Sequence, residues 1–120
     1  MTVADGGLTT AVSWDGGQVT VAVFGEIDVE TGPGLKQALQ AALEGRPDRI
    51  VVDFAGVSFC DCCGLGFLLA ARQQARSAEV DFTVTGVTAP TVLRLLRFFD
   101  LCEMLGMTGP EPGPGDVTGQ

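Results

Sequence analysis

Positions 60 to 66 read CDCCGLG, three cysteines and an aspartate set against two glycines in a chain that contains no histidine. Thiolates in a cluster suggest first a structural zinc site, with Cys60, Cys62, Cys63 and the distant Cys102 as ligands. The spacing opposes it. Cys62 and Cys63 would have to reach one ion from successive positions, whereas zinc knuckles separate paired cysteines by a short spacer. A thiol phosphatase would need an arginine closing a phosphate-cradling loop, but the residues six beyond Cys60, Cys62 and Cys63 are Gly66, Leu68 and Leu69. Without histidine there is no Cys–His pair for acyl transfer. The segment GLGFLLA imitates part of a dinucleotide-binding glycine pattern, yet the strand RIVVDF is expected to end at Phe54, well before the first glycine, and Asp61 would repel a pyrophosphate. These exclusions favour a binding protein over an enzyme, with neither cofactor nor metal expected.

What remains is positional. Asp61 stands where a helix N-cap belongs, which places Cys62 and Cys63 in the first helical turn, exposed and electrically sensitive. The glycines let the backbone turn tightly and let another surface come close. Against this stands a plainer reading, in which Cys60 is a small core residue and Cys62 and Cys63 are inert replacements for serine.

The rest of the chain must position that turn. Its 120 residues suit one domain, able to bury about two thirds of the surface exposed when unfolded. Although 46% of residues are hydrophobic, no run reaches the length of a membrane span. The opening MTVADGGL has neither the basic start nor the apolar stretch of a secretory signal, so a cytoplasmic protein with reduced thiols is expected. Adjacent Cys62 and Cys63 could close only a strained ring. A net charge of −8, with no run of Lys or Arg, disfavours nucleic acid and anionic lipid as partners and suits a basic protein surface. Oligomeric state stays open between a monomer and a weak dimer.

Leu8 to Trp14 and Gln18 to Phe24 read as strands joined through Asp15-Gly16-Gly17, a hairpin signal. After the loop GEIDVETG, residues Leu35, Ala38, Leu39, Ala42 and Leu43 form one apolar helical face, with Pro33 near its start and Gly45 at its end. RIVVDF is a central strand, and a second amphipathic helix follows the CDCC turn with Leu65, Leu68, Leu69 and Arg72 on one side. Val80 to Thr85 is a further strand. Thr88 and Pro90 introduce a third helix with Val92, Leu95, Leu96 and Phe99 inward, and a short strand near Met104 to Met107 is expected to close the sheet. Of the neighbours Phe98 and Phe99, one is expected to pack across the helix end or to serve a partner surface. The order ββαβαβα implies an α/β domain with a mixed sheet of four to five strands packed against three or four helices. Residues 109–120, rich in Pro and Gly, read as a flexible tail after a domain spanning 1–108.

Three segments, GEIDVETGPGLKQAL, IVVDFAGVSFCDCCGLGFLLAARQQAR and TVTGVTAPTVLRLLRFFDL, resemble the STAS domain of bacterial anti-sigma factor antagonists from about Leu8 to Met107. The resemblance implies a single α/β domain that binds an anti-sigma factor, itself a serine kinase, and so frees a sigma factor. It implies that Asp61 matches the family's aspartate, Cys62 its phosphoacceptor serine, Cys63 the following hydroxyl residue, and Gly64, Leu65 and Gly66 the glycine turn. Glu26 and Asp28, with Thr31, match the acidic loop, and these residues together with Cys62 and the glycine turn are the partner-binding set. Ser58 lies in a strand-like segment expected to be buried, so the phosphosite is not transferred to it. The departure is the thiol at Cys62, which a hydroxyl-directed kinase does not normally phosphorylate. Three outcomes follow: permanent binding, a switch by oxidation of Cys62 or Cys63, or a diverged STAS module serving a transport or lipid-trafficking assembly. Permanent binding is preferred here because no cation stands near the thiols in the sequence.

Overall fold

Gly16 and Gly17 supply the two-residue turn that starts the sheet, with Asp15 paired to Gln18 on either side and Gly16 at a φ of 63° that suits glycine. The computed structural model describes residues 2–5, 7–98 and 101. Five strands are formed: β1 (Thr2–Asp5), β2 (Leu8–Asp15), β3 (Gln18–Ile27), β4 (Arg49–Cys60) and β5 (Asp81–Thr85). Helix α1 (Gly32–Glu44) links β3 to β4, α2 (Cys62–Ser77) links β4 to β5, and α3 (Pro90–Phe98) follows. The sheet order equals the chain order, with β1–β2 and β2–β3 antiparallel and β3–β4 and β4–β5 parallel. The mixed sheet follows from the connections, since two residues suffice for a hairpin but a parallel neighbour needs a helical crossover.

Alternation decides which face is covered. Val19, Ile50 and Phe82 align across three strands, as do Val21, Val52 and Val84, and all six are buried. Leu35 and Leu39 of α1 and Leu68, Ala71 and Ala75 of α2 join the same cluster, so the two crossover helices close over this face. On the opposite face Thr20, Val51 and Thr83 align and stay half-buried.

A strand that the sequence reading did not foresee completes five. It is β1, paired to β2 at the amino-terminal edge, while Met104 to Met107 and the proposed tail lie outside the described residues, as does Phe99. The GEID segment, read as loop, continues β3 through Ile27, and β4, expected to end at Phe54, runs on through AGVSFC to Cys60. Ser58 is correspondingly exposed, not buried. The cause is a pair of bulges. Between the pairs Ala22–Asp53 and Phe24–Gly56, and again between Gly25–Val57 and Glu26–Phe59, β4 carries one residue more than β3. Each extra residue shifts the pleat, so burial runs Ile50, Val52, Phe54 and then Val57 and Cys60. The two-residue period is lost where the site begins.

Three helices are present among the described residues. Gly45 ends α1, but the left-handed position falls on Arg46, at φ 56°. A Cβ on Gly45 would meet the Trp14 ring 2.6 Å away, so close approach of that ring explains the glycine.

Candidate functional site

The longer β4 delivers Cys60 to the end of the sheet, beside the end of β3. There the Asp61 amide donates to the Ile27 carbonyl at 3.2 Å, Cys60 pairs with Ile27, and the chain turns into α2. Asp61 is extended, at φ −99° and ψ −175°, and its Oδ1 accepts from the Gly64 amide at 2.8 Å, which caps the helix. Cys62 and Cys63 occupy the exposed first turn. Strand β4 therefore does lead almost directly into the glycines, contrary to the sequence expectation. The anion-binding reading fails for another reason: the capping carboxylate already takes the Gly64 amide.

Gly64 is buried, and a Cβ there would lie 2.6 Å from Ile27 Cγ2 and 2.7 Å from its carbonyl oxygen. Its absence of a side chain is what lets the start of α2 sit against β3. Leu65 is also buried, one of the α2 residues in the core. Gly66 differs from Gly64, being exposed with open space where its Cβ would stand. A second contact repeats the theme, because the Phe67 ring lies where a Cβ on Gly32 would be and so joins the starts of α1 and α2.

Directly after Ile27 the chain forms a tight loop around Asp28. Its Oδ1 accepts from the amides of Glu30 (2.9 Å) and Thr31 (3.0 Å). Thr31, only 6% exposed, donates its hydroxyl to the Glu26 carbonyl at 2.7 Å, and its Oγ1 accepts from the Asp28 amide at 3.0 Å. The hydroxyl thus fastens the loop from within. Glu26 stays exposed, its amide donating to Gly7 at 3.2 Å. The amide of Thr31, and next that of Glu30, hold the Asp28 carboxyl below its usual 3.8. Burial pushes the Cys60 thiol up to about 12, helped by the nearby Asp61 and Cys62, so this sulfur is neutral at physiological pH.

Of the residues singled out in the sequence, Glu26, Asp28, Asp61, Cys62, Cys63 and Gly66 thus lie around one junction, with Thr31, Gly64 and Leu65 turned inward to shape it. Sequence reasoning missed Ile27, whose carbonyl and side chain form the junction. It offered a partner-surface role for Phe98 or Phe99 but did not foresee that Thr91, Arg94 and Leu95 of α3 join Phe98 in lining an open groove completed by Phe59 through Cys62. Arg94 thereby places a cationic side chain on the same groove as Cys62. Among the described residues, no three Cys, Asp or Glu side chains converge as metal ligands, and no helix is long and apolar enough to cross a membrane.

A family model described as "Mlab, STAS domain" matches residues 10–106. An anti-sigma-B factor antagonist of Listeria monocytogenes is 26% identical over 105 residues, covering 88% of this chain and 89% of that one. The crystal structure of an anti-sigma factor antagonist from Mycobacterium paratuberculosis is similar at a TM-score of 0.76 and 31% identity, over 83% of this chain and 84% of that one. The unphosphorylated form of the antagonist SpoIIAA shares the fold at a TM-score of 0.70 and 18% identity, over 88% and 91%.

Two measurements check the geometry. Gly64→Ala is expected to lower unfolding stability by about 1–3 kcal/mol through forced contact with Ile27, whereas Gly66→Ala is expected to be neutral or to stabilise by up to about 1 kcal/mol; urea midpoints for both variants decide it, and equal losses would refute the packing account. Asp28 should titrate below 3.8 by NMR. Its folded value being depressed, its contribution to stability is complete above the ordinary carboxylate range and disappears as pH falls through the lowered value. Asp28→Asn should accordingly flatten that part of the acid limb of the stability curve.

Proposed function

Because the chain belongs to the STAS domain family, we propose that it acts as an anti-sigma factor antagonist, binding an anti-sigma factor and so freeing a sigma factor for transcription. The observation that carries this reading is the junction at Ile27, which joins the Asp28 loop and the Cys62 turn into one exposed surface in a chain whose relatives from Listeria and Mycobacterium bear that function in their names. The partner is a serine-kinase type of anti-sigma factor, as the matched motif implies. Its contacts are Glu26, Asp28, Cys62, Cys63 and the bare backbone at Gly66, while Thr31, Gly64 and Leu65 hold the surface in shape.

Gly66 supports the assignment on energetic grounds. A glycine inside a helix costs about 1 kcal/mol relative to alanine, and among the described residues no contact requires one at that position. A partner pressed against the first turns of α2 does require it. The acidic groups nearby, in a chain of net charge −8, suit a basic partner surface.

Cys62 sets the behaviour of the complex. Phosphate on a hydroxyl at this place would add about −1.5 to −2 charges beside the Asp61 carboxylate and drive the surfaces apart. A thiol does not normally accept that phosphate, so the reduced protein remains competent to bind while the kinase is active. It is a binding protein that works in the cytoplasm without catalysis.

The test is binding to kinase-type anti-sigma factors of the same genome with ATP present, for the native chain and for Cys62→Ser. The native chain should bind with an affinity unchanged by ATP, and the serine variant should be phosphorylated and weakened by about tenfold or more, or ~1.4 kcal/mol. Failure of both proteins to bind any such kinase, or capture of a transporter subunit in its place, would overturn the assignment.

A further inference from the structure

Helix α3 has two working faces. Val92 and Leu96 are buried in the core, whereas Thr91, Arg94, Leu95 and Phe98, spaced at i, i+3, i+4 and i+7, line a groove of about 490 Å³ whose other wall includes Phe59 and Cys60 at the end of β4. We infer that this groove is a second contact for the anti-sigma factor, seating one large apolar side chain of the partner with a carboxylate placed to meet Arg94. The identity of the partner rests on the functional reading above; the chemistry of the occupant does not.

Three observations carry the inference. The first is the apolar wall. Phe59 is 41% exposed and Phe98 80%, two of the five large apolar side chains left exposed among the described residues, and both line the one groove. Exposed aromatics that converge on a concave surface mark an interaction site, and the volume falls within the range of about 300–1,000 Å³ found for clefts that enclose a ligand group.

The second is the sign of the charge. Arg94 is exposed and joins no ion pair among the described residues. Asp61 shares the groove, but its carboxylate is engaged in capping the Gly64 amide. On the β3–α1 side of the Cys62 turn the surface carries Glu26, Asp28 and Glu30; on the α3 side it carries Arg94 and Arg97. Charge therefore reverses across the turn. A partner surface that is basic throughout would suit the Asp28 loop and be repelled at α3, so the group that complements Arg94 is an anion. A carboxylate matches the planar guanidinium with two parallel hydrogen bonds.

The third is continuity. Asp61 and Cys62 line the groove and also begin α2, so a partner pressed against the first turn of α2 already stands at the edge of the groove. Thr91 Oγ1 donates to the Ser58 carbonyl at 3.4 Å, which fastens the first turn of α3 to β4 and keeps the two walls in register.

The test has two arms. In the first, the amide chemical shifts of the native full-length chain are followed by NMR while hydrocinnamate, an aromatic ring on a short arm ending in a carboxylate, is added to millimolar concentration. Its neutral amide and the corresponding amine, phenylpropylamine, are titrated in parallel. Hydrocinnamate should shift the amides of Phe59, Cys62, Arg94 and Phe98 and bind at least about threefold more tightly than the neutral amide, with the amine weakest. That order is the reverse of what the net charge of −8 would produce by itself. Arg94→Gln should abolish the preference for the carboxylate. Absence of saturable shifts at these amides, or an order of affinity that Arg94→Gln leaves unchanged, would overturn the inference.

The second arm measures binding of a kinase-type anti-sigma factor of the same genome to the native chain and to Arg94→Glu, Phe98→Ser and Arg97→Glu, the last an exposed α3 position off the groove. Arg94→Glu and Phe98→Ser should each bind about tenfold more weakly, and Arg97→Glu should stay within about twofold of the native chain at physiological salt. Native-like binding by the first two variants, or equal weakening by all three, would overturn the groove as a contact while leaving the functional reading intact. A groove that seats hydrocinnamate in a chain that binds no anti-sigma factor would support the docking chemistry while refuting that reading.

Discussion

The site depends on how closely the start of α2 can approach the end of β3. One hydrogen bond, from the Asp61 amide to the Ile27 carbonyl, and one missing side chain, at Gly64, set that distance. Move the helix outward by the width of a methyl group and the Asp28 loop and the Cys62 turn become two separate features. Held together, they form a surface that a partner can meet in one encounter. The hydrogen bonds around Asp28 and the cap on Gly64 are then local devices that keep each half in shape, and neither would bring the halves together alone.

Core packing serves the same end. The aligned sets Val19, Ile50, Phe82 and Val21, Val52, Val84 fix the register of three parallel strands, and a one-residue slip would turn every one of these side chains outward. That register is then deliberately broken toward the site. Two bulges in β4 turn Cys60 inward, leave Ser58 and Phe59 exposed, and aim the strand at the helix. Bulges re-aim side chains at the ends of sheets, and here they decide which of the three clustered cysteines is buried.

Much of the fold could be read from the sequence because its regular parts obey one period each. The Gly16-Gly17 hairpin, the apolar stripe of α1, the N-cap at Asp61 and the parallel crossovers all follow from local rules that the structure obeys. The carboxyl-terminal half of β4 was not legible, since its burial advances by three residues and Ala55-Gly56 imitates a turn. Strand β1 was missed because Thr2–Asp5 is short and its partner edge cannot be seen in a local window. For the site, Asp61 and the glycines announced themselves by type and spacing. Ile27 did not, because a carbonyl can belong to any residue, and Arg94 did not, because only the fold brings α3 beside Cys62.

Amide hydrogen exchange on the native chain and on Gly64→Ala tests the central claim most directly. The account predicts that, in the variant, the amides of Glu30 and Thr31 in the Asp28 loop lose protection together with those of Asp61 and Gly64 at the start of α2, while Val21 and Val52 in the sheet keep theirs. Loss confined to α2, with the Asp28 loop as protected as before, would contradict it and would mean that the two halves of the surface are built independently.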